Sequence, residues 1–498
     1  MRSQSAKQIR SVAFGASITA FAGVCALAQD TSGISTSTSG AVIKGKAPVA
    51  KELLTVRFPK PKSFKLDNGI SVYVLEDHRF PAVRMRLTMR AGSLFEPKPG
   101  VAEMTAAMLT EGTTNHTSIS LAEETSNLGA NLNCSSGTDT ATVSVSGLSE
   151  SIDRLVALMA EVVLHPTYPS DRLDRLKYSQ TSQVAQRRTN PTGLAAELAN
   201  KIYYSGTPYE RHPAKGPEID ALTREDLVAY HDSHYVPNGA TIGVTGDVNI
   251  KALKAKLGEA LAEWRPAAKG SELPAADFKP RDTTKVWLID RPGSAQTVLQ
   301  FGNLGVKMGA PDYLALVVAN RILGGGSSGR LFQNIRERKG YTYGAYSTLA
   351  AGKWPGTWSA AASVRTPVTE PATAEFFNEF NRLQDEKVTE EELSNAKRSI
   401  VGAFAGALES PDGILSRAME LVENGLPADY WDTYPARIQA ITAEDVQRVA
   451  KQYLGKGRIQ VIAIGERSKI EEGLKKFGPI EIVDATQLVG AGGGRRGR

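Results

Sequence analysis

The feature that most constrains the fold is an internal repeat. The segment LTREDL at residues 222–227 is matched by ITAEDV at residues 441–446, 219 positions later. Each copy begins a helical pattern and is followed by an apolar strand pattern, at residues 240–244 and 459–463. A matched helix start and strand in two parts of one chain is typical of duplicated α+β domains. We therefore predict an α+β fold of two homologous domains, each a mainly antiparallel sheet covered by helices on one face.

The domain boundaries follow from composition. Residues 266–280 contain three prolines and little periodicity, which is typical of a linker, and we place the linker at 266–282. An N-terminal domain is then predicted at 54–265 and a C-terminal domain at 283–484. A chain of 498 residues is long enough for more than one hydrophobic core.

The ends of the chain differ from this body. Residues 1–28 have a basic start, an apolar run and the A-x-A pattern of Ala26-Leu27-Ala28, which together predict a cleaved signal peptide. A short membrane anchor is the alternative, but the run is rich in small residues and interrupted by serine and threonine. We expect an exported, periplasmic protein with no membrane association after cleavage. Residues 29–53 are predicted to be a disordered leader and residues 485–498 a flexible Gly/Arg tail.

The charge distribution excludes one class of partner. The net charge of +6 is accounted for by three basic residues near the N-terminus and three arginines among the last four residues. The body between them is neutral, so there is no electrostatic case for nucleic-acid binding.

Residues 323–346, LGGGSSGRLFQNIRERKGYTYGAY, contain the strongest candidate site. Arg336 and Tyr343 are seven positions apart, which on an unbroken helix is about 10 Å along the axis. Gly340 lies between them, and glycine at a helix C-terminus allows the chain to turn. A guanidinium beside a phenol offers hydrogen-bond donors for a peptide carbonyl or an oxyanion. The alternative is a surface ion pair of Arg336 with Glu337 and a tyrosine in the core.

This block resembles the C-terminal-half signature of the insulinase/pitrilysin family of zinc peptidases, which includes the mitochondrial processing peptidase. The resemblance extends from about residue 54 to residue 483. First-half segments that match the family are AGS at 91–93, GVA at 100–102, ML at 108–109 and EGT at 111–113. The resemblance implies a half-clamshell fold in which Arg336 and Tyr343 contact substrate near the scissile bond. It also implies that residues 129–134 lead into an edge strand on which family substrates lie.

The chain departs from the family at the metal site. Active members carry H-x-x-E-H on the first helix of the N-terminal half, with the ligands and base on one helical face. The matching positions here are Glu103, Ala106 and Ala107, and the third ligand falls near Gln183. A catalytic zinc needs three protein ligands and a water, so we predict no metal on this chain.

Other metal or nucleophilic sites are weaker predictions. His231 and His234 are close in sequence but lack an evident third ligand, and a solvated helix end is favoured. Cys134 has no identifiable base nearby and is interpreted as a small strand residue.

The resulting prediction is an exported, zinc-free subunit of a heteromeric metallopeptidase, inactive alone. Arg336 and Tyr343 would bind an unfolded peptide substrate and stabilise the developing charge on its carbonyl. The partner would be a zinc-bearing peptidase subunit of the same family, so no cofactor is expected here and zinc is expected on the partner. The alternative is a non-catalytic peptide-binding or scaffold protein of the same fold.

Overall fold

The structure is a computed structural model that describes residues 56–187, 189–210, 213–455 and 457–489. These residues belong to one compact unit, residues 54–498. The predicted signal peptide and leader lie outside the described residues, as does the predicted tail beyond residue 489. A short helix, Thr486–Val489, occupies the start of that tail. None of the helices in the described ranges has the length and hydrophobicity of a membrane span.

The strands form two six-stranded sheets. The first sheet contains β1 (Lys62–Lys65), β2 (Ser71–Glu76), β3 (Ala82–Met89), β4 (Asn131–Ser136), β5 (Ala141–Leu148) and β6 (Thr241–Gly246). The second contains β7 (Val286–Asp290), β8 (Gln296–Leu304), β9 (Thr342–Leu349), β10 (Thr357–Arg365), β11 (Gln460–Gly465) and β12 (Ile480–Ile482). The prediction of two mainly antiparallel sheets is confirmed.

The two sheets share one topology. The spatial order is β1-β2-β6-β3-β5-β4 in the first and β12-β7-β11-β8-β10-β9 in the second. Five successive strands therefore correspond one to one, with a parallel pair at β2–β6 and at β7–β11. Among the residues that the structure describes, the terminal strands β4 of the first sheet and β9 of the second each have one unpaired edge. A free edge presents backbone donors and acceptors to another chain.

The helices repeat in the same way. Thr223 and Thr442, the two threonines of the sequence repeat, are both N-caps, and each forms a capping box with the aspartate three residues later. The longer helices of the first half are Val101–Met108, Ser118–Asn127, Ile152–Leu164, Ser170–Arg187, Pro191–Tyr203, Arg224–His234 and Ile250–Ala260. Those of the second half are Tyr313–Leu323, Thr369–Asp385, Glu390–Ala407, Pro411–Asn424, Tyr430–Ala440, Ala443–Tyr453 and Arg467–Leu474.

In each half, one helix packs against the sheet of the other half. In the second sheet, Ile462 and Ile464 of β11 are fully buried in a cluster with Leu194 and Leu198 of the first-half helix Pro191–Tyr203. Alternate residues of β11, such as Val461, belong to the core formed with the second half's own helices. Helices therefore cover both faces of the sheet, whereas the sequence predicted one covered face.

The first sheet receives helix Pro411–Asn424 in return. A Cβ on Gly243 of β6 would lie 2.6 Å from Met419 Sδ and 2.9 Å from a methyl group of Leu415. The large side chains are on the helix here. In the second sheet the large side chain, Ile462, is on the strand, and the helix contributes the small Ala195 to the same cluster. In both contacts a large side chain packs against a small residue, but the large side chain is on the helix in the first sheet and on the strand in the second.

A half-buried histidine joins two helices near the β4 edge. His116 Nδ1 lies 2.8 Å from Glu161 on helix Ile152–Leu164, and Nε2 lies 2.8 Å from Glu124 on helix Ser118–Asn127. Thr113 donates a hydrogen bond to the same Glu161 carboxylate. The hydrogen bond to Glu161 raises the pKa of His116, against the effect of burial. The doubly bonded imidazolium therefore stabilises the fold.

We predict that this bridge makes stability depend on pH. Because the pKa of His116 is raised in the folded state, its contribution is complete below pH about 6.5 and is lost as pH rises through the raised value. The variant His116→Gln should therefore lower the melting temperature more at pH 6 than at pH 8.5, as measured by circular dichroism. An equal decrease at both pH values would contradict a charged bridge. His165→Gln is the control, because that imidazole meets one exposed carboxylate, Glu263.

Candidate functional site

The candidate site begins with a glycine loop that folds tightly against β9. The loop follows helix Tyr313–Leu323, which has Gly324 at its C-terminus. Ser347 N of β9 donates a 2.9 Å hydrogen bond to the Gly324 carbonyl. A Cβ on Gly324 would lie 2.6 Å from that same nitrogen, so only glycine allows the approach. The loop is thereby fixed to the edge strand of the second sheet.

The residues after the loop form a π-helix, Phe332–Arg338, which carries Arg336. The turn ends at Gly340, in the left-handed region at φ +63°, where Gly340 N donates to Arg336 O at 3.0 Å. π-Helical turns are rare and are frequent at functional sites. The glycine stop is as predicted, and the π form of the helix was not predicted.

Arg336 is partly exposed and is held by two neighbours. Its side chain is 44% exposed, and Nη1 donates to Glu337 at 2.9 Å. The guanidinium carbon lies 4.7 Å from the ring centroid of Phe332, in a cation–π arrangement. Phe332 in turn meets Tyr346 of β9 at 5.5 Å between ring centroids. These contacts hold the cation at the surface beside the edge strand.

Tyr343 is turned outward by a β-bulge. Thr342 pairs with Val364 and Ala345 with Ala362, so Tyr343 and Gly344 stand opposite one residue of β10. The Thr342 hydroxyl closes the bulge by donating to Ser363 O at 2.7 Å. A bulge re-aims side chains along the strand, and Tyr343 is 90% exposed. The interpretation of this tyrosine as a core residue is therefore wrong.

The structure places Arg336 and Tyr343 at the same end of β9 without joining them. No hydrogen bond or ring contact connects the two side chains in the described ranges, and Tyr343 has no side-chain partner there. Both present donors to solvent beside an unpaired strand edge. An extended peptide added to β9 would meet backbone groups along the strand and these two side chains at its start.

A buried polar network lies behind the π-helix and was missed from the sequence. Arg330, 8% exposed, forms a bidentate ion pair with Glu392, with nitrogen–oxygen distances of 2.7 and 2.9 Å. Asn334 donates to Glu375 and to Glu379 at 2.9 and 2.8 Å. Burial alone would raise the pKa of Glu392, but its hydrogen bonds, first that from Arg330, lower it. The network fixes the π-helix to the two helices behind it.

The degenerate metal positions lie in the other half of the protein. Glu103 is exposed on helix Val101–Met108, Ala106 is buried, and Ala107 is half-buried. Gln183 is exposed on its own helix. A cavity of about 420 Å³ is lined by Glu103 together with Arg187, one turn after Gln183.

This arrangement does not fit a zinc ion. Two of the three motif positions are alanine, and the cavity includes a guanidinium, which repels a cation. In the part of the chain that the structure describes, no group of three or more His, Cys, Asp or Glu side chains is arranged to hold a metal.

The remaining candidates have structural partners. His231 Nε2 lies 2.7 Å from Val163 O, and His234 Nδ1 lies 2.8 Å from Ser271 Oγ, so the two rings point to different groups. Cys134 lies in β4, and burial raises the pKa of its thiol to about 12. A thiol with such a pKa is not a nucleophile at neutral pH.

The fold and these motif positions define a peptidase-like protein with two related halves. Residues 72–216 match the model of the insulinase family, peptidase family M16, and residues 221–400 match that of the peptidase M16 inactive domain. The chain belongs to the insulinase family, peptidase family M16.

Relatives and solved structures agree with this assignment. The chain is 22% identical over 360 residues, 72% of its length, to an uncharacterized zinc protease, YmxG, of Bacillus subtilis, of which 86% is covered. It is 22% identical over 388 residues to a Helicobacter pylori protein described as a non-peptidase homolog, with 77% of this chain and 89% of that protein covered. A crystal structure of a peptidase M16 inactive domain from Pseudomonas fluorescens superposes with a TM-score of 0.75 at 27% identity, covering 82% of this chain and 98% of that one.

We predict that the Arg330–Glu392 pair supports the π-helix energetically. The variant Arg330→Met keeps much of the side-chain volume but removes the guanidinium partner of the half-buried Glu392 carboxylate, which should cost about 1–3 kcal/mol of unfolding free energy. Thermal unfolding followed by circular dichroism measures this as a fall in melting temperature. Arg338→Met, at an exposed position of the same π-helix, is the matched control and should change little. Equal melting temperatures for the two variants would contradict the role of the pair.

Proposed function

We propose that this chain is the zinc-free subunit of a heteromeric M16-type metallopeptidase and supplies substrate contacts to a zinc-bearing partner. The observation that carries the proposal is the outward direction of Tyr343, produced by the bulge in β9. A large aromatic side chain with 90% exposure is poorly explained by packing. It is well explained by a ligand or partner that covers it.

The chemistry of the pair fits a peptide in an extended conformation. The β9 edge offers backbone hydrogen bonds to such a peptide. Arg336 and Tyr343 add side-chain donors that suit a peptide carbonyl oxygen as it gains negative charge. The substrate class proposed is therefore an unfolded peptide.

Zinc and the general base are assigned to the partner because this chain lacks the side chains that would hold and use them. Glu103, Ala106, Ala107 and Gln183 supply one carboxylate at the four positions at which active members hold zinc and a base. A partner of the same family with H-x-x-E-H would complete the site. The description of the Helicobacter pylori relative as a non-peptidase homolog supports a chain without activity of its own. Export to the periplasm remains part of the proposal and rests on the sequence of residues 1–28.

A second candidate is a peptide-binding or scaffold protein without a catalytic partner. The observation that favours it is the engagement of Arg336 by Glu337 and Phe332, which could hold the guanidinium for structural reasons alone. The two functions predict different consequences for the same substitutions.

We predict that Arg336→Ala and Tyr343→Phe each lower the peptidase turnover of the complex at least tenfold. The complex is to be purified from the native host through a tag on this chain and assayed with unstructured peptides. Both side chains are exposed, so the melting temperature should change little. Arg338→Ala is the matched control on the same π-helix. Full turnover in both variants, or a complex without an H-x-x-E-H subunit, would favour the scaffold function.

We also predict that the purified chain alone binds much less than one equivalent of zinc after dialysis. Elemental analysis measures the bound metal, and a peptide assay with added zinc measures residual hydrolysis. The complex should contain about one zinc for each partner subunit. Stoichiometric zinc with robust hydrolysis by the isolated chain would contradict the proposed division of the site.

A further inference from the structure

A second cavity, of about 300 Å³, lies between the first sheet and the helix lent to it by the second half. Its walls include Arg86 and Thr88 of β3, Arg90 just beyond that strand, and Glu423 near the end of helix Pro411–Asn424. Lys353 closes another side. Neither Arg336 nor Tyr343 lines this cavity.

The cavity can be compared with the equivalent place in the second half, because the two halves share one fold. Thr88 pairs with Thr241 of β6, and Gly302 pairs with Gln460 at the matching position of β11, so Thr88 and Gly302 correspond. Both lent helices begin with proline at the first position, and twelve residues later they carry Tyr203 in one half and Glu423 in the other.

The corresponding place in the second sheet is filled by an aromatic ring. Tyr203 is 3% exposed, and its hydroxyl lies 2.8 Å from where a Cβ on Gly302 would be. In the first sheet, Glu423 and Thr88 take these positions and both line the cavity. The same helix–sheet contact is therefore filled by a side chain in the second sheet and contains a cavity in the first sheet.

Three cationic side chains and two carboxylates line the open contact. Arg86, Arg90 and Lys353 form no ion pair with a carboxylate within 4.0 Å among the described residues. Arg90 donates to the Ser271 carbonyl at 3.3 Å and otherwise lies against Gly239. Arginine guanidinium groups that line one cavity favour a planar oxyanion as a ligand.

Thr88 adds an unsatisfied polar atom to the same wall. The residue is 5% exposed, and its hydroxyl has no hydrogen-bond partner among the described residues. A buried hydroxyl without a partner costs free energy that a bound ligand would recover. Its position beside the guanidinium groups therefore points to a ligand oxygen.

Two carboxylates complete the lining. Asp139 accepts a 3.0 Å hydrogen bond from Tyr209, and burial raises its pKa. Burial also raises the pKa of Glu423, against the effect of Arg86. Both signs of charge thus border a space near the lower end of the size range of small-molecule sites.

We propose that this cavity binds a small zwitterion, an amino acid or a dipeptide. The ligand carboxylate would accept hydrogen bonds from Arg86, Arg90 and the Thr88 hydroxyl. The ligand amino group would face the carboxylates of Glu423 and Asp139. Because opposite charges line one cavity, a ligand with both charges is complementary where a simple anion is not.

Isothermal titration calorimetry of the full chain with alanylalanine tests the proposal. The variants Arg86→Gln and Thr88→Val should each weaken binding at least about tenfold, the effect of losing one charge-assisted hydrogen bond. Arg86→Gln introduces the residue type found at the corresponding position of β8, Gln300. Thr88→Val should leave the melting temperature unchanged or raised, since the hydroxyl has no partner to lose. The matched control is Arg365→Gln, on the exposed end of β10, which should bind as the natural protein does.

The remaining probes separate a zwitterion site from its alternatives. N-acetylalanine amide, which lacks both charges, should not bind measurably, and acetate and inorganic phosphate should bind at least tenfold more weakly than alanylalanine. The proposal is overturned if alanylalanine gives no heat of binding. It is equally overturned if acetate or phosphate binds as tightly, or if Arg365→Gln weakens binding as much as Arg86→Gln does.

Discussion

The structure depends on the exchange of one helix between its two halves. The central strands β6 and β11 are buried on both faces only because helix Pro411–Asn424 lies on the first sheet and helix Pro191–Tyr203 on the second. Without helix Pro191–Tyr203, the second sheet would expose Ile462 and Ile464 to water. The cavity between the first sheet and helix Pro411–Asn424 also follows from this packing.

At the β9 edge, a short segment carries exposed side chains on a backbone that is held by buried contacts. Arg330 and Asn334 anchor the π-helix to carboxylates on the two helices behind it, and the bulge at Tyr343 and Gly344 departs from the alternation of the strand. The side chains that offer chemistry are consequently on the surface, while the residues that fix them are inside. Such a division is typical of a recognition site built on a stable scaffold. In the first half, the helix that would carry the metal ligands is intact, and only its side chains have changed.

Much of the fold was predictable because it rests on local patterns. The two helices that begin after the N-caps Thr223 and Thr442 are where the sequence repeat indicated. The exchange of helices was not predictable, because it depends on contacts between residues more than 90 positions apart. The bulge was missed because a strand pattern does not specify its register with the neighbouring strand. The Arg330–Glu392 pair was missed because it joins residues 62 positions apart on different elements.

The size relation at the exchanged helices has a consequence for the history of the chain. In the first half the strand contributes glycine, Gly243, and receives Leu415 and Met419, whereas in the second half the strand contributes Ile462 and the helix contributes Ala195. A protein assembled from two copies of the first half would place glycine against alanine and leave a void. One assembled from two second halves would force isoleucine against leucine and methionine. The two halves have therefore diverged so that each helix fits only the sheet of the other half, and neither half can replace the other in the protein.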